Sequence, residues 1–163
     1  MRIRDTIDHA ATPERVFAML SDEDFQDRKA EATGALSHSV SITTRGDHTV
    51  IVSKRAMPTD KLPDFVKGFV GKELHLTETS DWGPAAADGS RRGRLTVAVG
   101  GAPITLDATL SLAPSGQGSR ELVEGDLTAK VPLLGGKIEQ AAAPAIEAAI
   151  HVERSTGAIW LAG

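Results

Sequence analysis

Glu153 is the residue best placed to do chemistry away from water. Advancing about 100° per residue from the Gly135-Gly136 breaker makes residues 135–163 one long helix. Ile138, Ala142, Ala145, Ile146, Ala149, Ile150, Val152, Gly157 and Trp160 fall on one side of it, and Glu153 lies near the middle of that apolar stripe. Lys137, Gln140, Glu147, His151, Arg154 and Ser155 take the opposite, wet side. A carboxyl aimed into a cavity without a partner has a raised pKa and can orient a ligand or accept a proton. The competing reading is a buried ion pair with an inward arginine such as Arg55, or a helix tilt that carries the carboxylate to the rim.

Other chemistries find less support. The histidines, at 9, 38, 48, 75 and 151, show no H-x-x-x-H or H-x-H spacing, so no metal site is expected. There is no cysteine and no G-x-S-x-G elbow, which excludes thiolate chemistry and gives a serine triad no basis. Gly100-Gly101 and Gly135-Gly136 lack the spacing that wraps phosphates and read as turns, so no cofactor is implied. Arg45-Gly46-Asp47 reads as a hairpin turn and Arg91-Arg92-Gly93-Arg94 as a solvated strand entrance.

Composition narrows the function classes further. The 163 residues are one domain's worth of chain, 40% hydrophobic and 25% charged. A net charge of -4 and a pI near 5.7 argue against general affinity for nucleic acid or anionic lipid. Two Trp, four Phe and no Tyr leave little for base stacking. Met1 to His9 alternates and is charged, and no apolar run approaches the roughly 18 residues of a membrane span, so no integral membrane segment is expected and a cytoplasmic location is the default. Nothing in the pattern sets an oligomeric state.

The elements that must position Glu153 follow in order. Arg2 to His9 alternates as a strand, with Ile3 and Ile7 on one side. Thr12, followed by Pro13, caps a short helix through Val16, Phe17 and Leu20; Asp22 caps a second through Ala32, closed by Gly34. Leu36–Thr44 and His48–Met57 form a hairpin, and Glu73–Trp82 is a further strand. Arg94–Val99 and Ala102–Leu112 flank Gly100-Gly101, and a two-residue turn there pairs Val97 with Ile104 and Leu95 with Leu106. Arg120–Val131 is the last of about seven strands, with Val123, Leu127 and Val131 inward. Between strands, residues 58–72 carry Leu62, Phe65, Val66, Phe69 and Val70 at helical spacing after a possible cap at Asp60. This insert either completes the core or serves as a lid hinged at Gly68 and Gly71.

This order resembles the START-like, or SRPBCC, helix-grip superfamily. The resemblance rests on Thr12-Pro13-Glu14-Arg15-Val16-Phe17 after a first strand, and on Val131 to Glu139 leading into a helix with Glu153 and Trp160. The Phe65-Val66 and Phe69-Val70 insert is similar to that of an uncharacterised branch, a domain of unknown function. The superfamily implies an α+β fold in which a curved antiparallel sheet grips the C-terminal helix around a hydrophobic cavity. Members bind lipids, sterols, polyketides or plant hormones; some catalyse cyclisation or act as cochaperones, so fold alone does not choose.

The expectation is therefore a binding module for a small hydrophobic or lipid-like molecule. Small helix residues leave a void lined by Leu95, Val97, Val99, Leu106, Leu110, Val123, Leu127, Ile146, Ile150 and Trp160, with Glu153 orienting the guest and Leu62, Phe65, Val66 and Phe69 as lid. One alternative keeps the cavity and makes Glu153 the general base of a cyclase, dehydratase or isomerase. Another is a protein-interaction module with a filled cavity and an apolar patch at Phe65 and Phe69.

Overall fold

Alternating strands, two capped helices and one long terminal helix assemble as a sheet that curls around the helix. A computed structural model describes residues 1–163. The order is β1 (Arg2–His9), α1 (Pro13–Leu20), α2 (Glu23–Ala32), β2 (Ser37–Arg45), β3 (His48–Pro58), α3 (Asp64–Val70), β4 (Glu73–Trp82), β5 (Arg91–Val99), β6 (Ile104–Ser115), β7 (Gly118–Ala129) and α4 (Gly135–Ala162). All seven strands join one sheet in the order β1-β7-β6-β5-β4-β3-β2, and every neighbouring pair is antiparallel. No helix is long and apolar enough to cross a membrane.

The caps form as their residue types dictate. Thr12 Oγ1 accepts from Arg15 N at 3.3 Å, and Asp22 Oδ1 accepts from Phe25 N at 3.2 Å. The expected cap at Asp60 does not form. Pro63 stands at the N-cap of α3 without a side-chain bond, and the helix is seven residues long.

The β5–β6 hairpin differs from expectation by two residues. Val97 pairs with Leu106 and Leu95 with Ala108, leaving Gly100 to Pro103 as the connection. Pro103 has no N–H to extend the ladder, and Gly100 N donates to His75 O of β4, so the ladder stops before a tight turn can close. A slip of two preserves the faces, so the inward set is unchanged.

Helix α4 packs along β1 and β7 and against α1 and α2. Its fully buried residues are Ile138 near one end and Gly157 near the other. A Cβ at Gly157 would sit 3.3 Å from Met19 Cε and 3.7 Å from His9 Cε1, so glycine lets the helix approach α1 and β1 closely. At this end Phe25, Met19, Val16, Trp82 and Leu112 form a dense core, with the Phe17 and Trp82 rings edge to face at 6.1 Å. The Arg91 guanidinium lies 3.6 Å from the Phe17 ring centre, which fixes one member of the basic cluster as a packing residue.

Candidate functional site

Between its two anchored ends α4 presents Ala141, Ala142, Ala145 and Ala149, and alanine is too short to reach the sheet below. The space left is a cavity of about 220 Å³ with mostly hydrophobic walls. That is room for a guest of modest size. Leu95, Val97, Val99, Leu106, Leu110, Val123 and Leu127 line it from β5, β6 and β7, and Ile146, Ile150 and Glu153 from α4.

Trp160 is not on this wall. It lies beyond the cavity, edge to face with Phe25 at 5.7 Å, with the Arg28 guanidinium 5.1 Å from its ring centre. Two helical turns past Glu153, α4 has reached α2, and the indole fills the helix–helix seam.

The 58–72 insert also divides. Leu62, Val66 and Val70 reach the cavity, whereas Phe65 and Phe69 turn outward and are 39% and 37% exposed. The two i, i+4 pairs lie about 100° apart around α3, and the valine pair takes the inner position.

One end of the cavity is polar. Lys29 Nζ donates to Glu153 Oε2 at 3.0 Å and to Glu78 Oε1 at 3.4 Å, and Arg55 Nη2 donates to Glu78 Oε2 at 2.9 Å. Glu153 is thus ion-paired, but its partner is Lys29 and not Arg55, which serves Glu78 instead. Burial alone would push the Lys29 ammonium down; the Glu153 and Glu78 carboxylates outweigh it and hold the pKa above its usual value. Burial likewise pushes Glu78 up, and Lys29 and Arg55 reverse that to hold it below the ordinary carboxylate range.

A second buried pair adjoins the first. His9 Nε2 and Glu121 Oε2 are 3.2 Å apart, with the side chains 2% and 4% exposed. Glu121 lines the cavity; His9 stands behind it. Burial pushes the Glu121 carboxyl up and the charge of Glu153 adds to this, against the opposing effects of His9 and Lys29, so it titrates at about 7.

Lys29, Glu78, Glu121 and His9 were missing from the expected site, although period alone points to three of them. Glu121 alternates inward with Val123 and Leu127, and Glu78 with Leu76 and Trp82. Lys29 lies one turn beyond Phe25, whose buried ring carries that face of α2 inward. Charge normally marks the wet face, so residue type hides an inward charged position that only register reveals.

The comparisons agree with this architecture. The family described as "Protein of unknown function (DUF2505)" matches residues 5–161. An uncharacterized protein of Mycobacterium tuberculosis is 24% identical over 117 residues, 68% of this chain. The chain spans 64% of the length of that relative. Among solved structures, the Zhui aromatase/cyclase from Streptomyces sp. R1128 aligns with a TM-score of 0.60 at 10% identity, covering 96% of this chain and 90% of the other. A START superfamily protein from Mycobacterium smegmatis aligns at 0.55 and 13% identity, covering 94% of each chain. At these identities the likeness establishes the START-like helix-grip fold.

Proposed function

The chain belongs to the DUF2505 family, and from its cavity we propose that it binds a small hydrophobic or lipid-like molecule between the sheet and α4. The observation that carries this reading is the unfilled space of about 220 Å³ under the alanine face, walled by apolar side chains and closed at one end by charged ones. Such a site takes an amphipathic guest, with the apolar body against β4, β5 and α4 and a polar group toward Glu153 and Glu121. The expected ligand-binding set stands within this reading except for Trp160, and Leu62 and Val66 are its cover.

Native mass spectrometry of the protein purified from its own host tests the proposal. A reproducible small-molecule increment, lost on solvent extraction, supports it. A chain that is always empty and leaves a neutral polarity-sensitive dye unbound contradicts it.

A second reading, a cavity-based cyclase, dehydratase or isomerase, is favoured by the buried Glu121 carboxyl that titrates near neutrality. Here Glu121 replaces Glu153 as the proton acceptor, because Glu153 is held by Lys29. Should the copurifying molecule be turned over, Glu121→Gln would abolish turnover with binding retained under this reading, whereas it would change only binding under the first. The interaction-module reading required a filled cavity; Phe65 and Phe69 are exposed as it expects, but the cavity is open.

A further inference from the structure

Six titratable side chains from six elements meet at the polar end of the cavity: His9 on β1, Lys29 on α2, Arg55 on β3, Glu78 on β4, Glu121 on β7 and Glu153 on α4. Arg154 and Asp5 face each other at 3.7 Å outside this group, and Gln26 is spent on the Leu20 carbonyl. Lys29 and Arg55 are already engaged by Glu153 and Glu78. Two fixed cations therefore face three carboxyl groups, and the third, Glu121, has only the imidazole of His9.

A buried cluster of this kind stays near neutrality by keeping a proton on its third carboxyl, Glu121. Glu121 Oε2 faces His9, while Oε1 accepts no hydrogen bond from the protein and belongs to a side chain on the cavity wall. Each class of guest then has a definite consequence. A carboxylate brings a fourth negative charge; the buried Arg55 Nε has no partner, but its guanidinium is already paired with Glu78. A neutral guest leaves the proton in place. An organic cation can donate to Oε1 and supply the missing positive charge itself.

Building on the container reading, we propose that the cavity selects a small hydrophobic amine, whose ammonium displaces the proton held by Glu121 and bonds its free oxygen. Protons balance: the ammonium enters charged, one proton leaves the Glu121 carboxyl for solvent, and the cluster remains neutral. Because the proton is already gone above neutral pH, binding is tighter there and weakens as the pH falls.

The test is calorimetric titration of the intact protein with octylammonium, 1-octanol and octanoate at pH 6 and pH 8, in two buffers of different ionisation enthalpy. An alkylammonium stays charged throughout this range. At pH 8 octylammonium should bind at least about tenfold more tightly than 1-octanol, with octanoate weakest. At pH 6 its affinity should fall about tenfold, with close to one proton released per guest. Glu121→Gln should remove that pH dependence; proton release by the unmutated protein gives the same answer independently of any variant. Equal binding of alcohol and amine at both pH values, no proton release, or preference for octanoate overturns the inference while the container reading stands. Failure of all three guests to bind overturns both.

Discussion

Two halves of one sheet face the same helix and end in different states. On β6 and β7, Leu106, Leu110, Val123 and Leu127 are no more than 7% exposed. On β4 and β5, Leu74, Leu76, Leu95, Val97 and Val99 point the same way and remain half-buried. The strands are equally apolar, so the difference lies in what stands opposite. Helix α4 packs on β1 and β7, and its alanines stop short of the far strands; only Leu62, Val66 and Val70 of the insert lean over them. Hollowness is thus made by residue size on one helix, while the closely packed end around Phe25 and Trp82 supplies the stability.

If that division holds, truncations in the two halves should differ most. Phe25→Ala, in the dense end, is expected to cost about 4 kcal/mol in urea unfolding, whereas Leu76→Ala, already beside open space, should cost about 1 kcal/mol. Equal losses would erase the distinction. Removing a charge from the junction comes next: Lys29→Met leaves Glu153 without its cation and Glu78 with only Arg55, and should cost about 3 kcal/mol in the same assay.

The pH dependence is somewhat smaller and has a fixed sign. Glu121 titrates at about 7 in the folded protein against an ordinary 4.5, so the folded state holds the extra proton between those values. Its stabilising effect is complete below about 4.5 and declines through the window to pH 7, by on the order of 2–3 kcal/mol. Glu78, held below its usual range, acts oppositely and removes stability as the pH drops below about 4.5. Urea midpoints from pH 4 to 8 should therefore peak near pH 5 and fall toward neutrality, and Glu121→Gln should flatten that decline.

Filling the hollow should hardly affect folding. Ala149→Phe is expected to change stability by less than about 1 kcal/mol, because space is available, while weakening a neutral guest such as 1-octanol by more than about tenfold. Smallest of all, Phe65→Ser with Phe69→Ser should shift unfolding by less than about 0.5 kcal/mol and leave guest affinity unchanged, since both rings face outward.

The sheet, the two capped helices and the alanine-faced terminal helix were legible because period and capping are local signals. Leu95, Val97, Leu106 and Leu110 lie on the wall for the same reason: strand alternation survives a two-residue slip of register. The partner of Glu153 was not legible. Lys29 is 124 positions away on a helix that also displays Asp24, Asp27 and Arg28, and only the packing of Phe25 turns that one charge inward. Trp160 shares the stripe of Ile146 and Ile150, yet a stripe reveals which side of a helix is apolar and not which neighbour covers each turn.

Methyl-detected NMR of the protein titrated with 1-octanol tests the central claim most directly. Saturable shifts concentrated on Leu76, Val97, Val99, Ile146 and Ile150, and absent in Ala149→Phe, are predicted. Shifts confined to outward residues such as Leu133 and Ile159, or unchanged by Ala149→Phe, would contradict a guest held between sheet and helix.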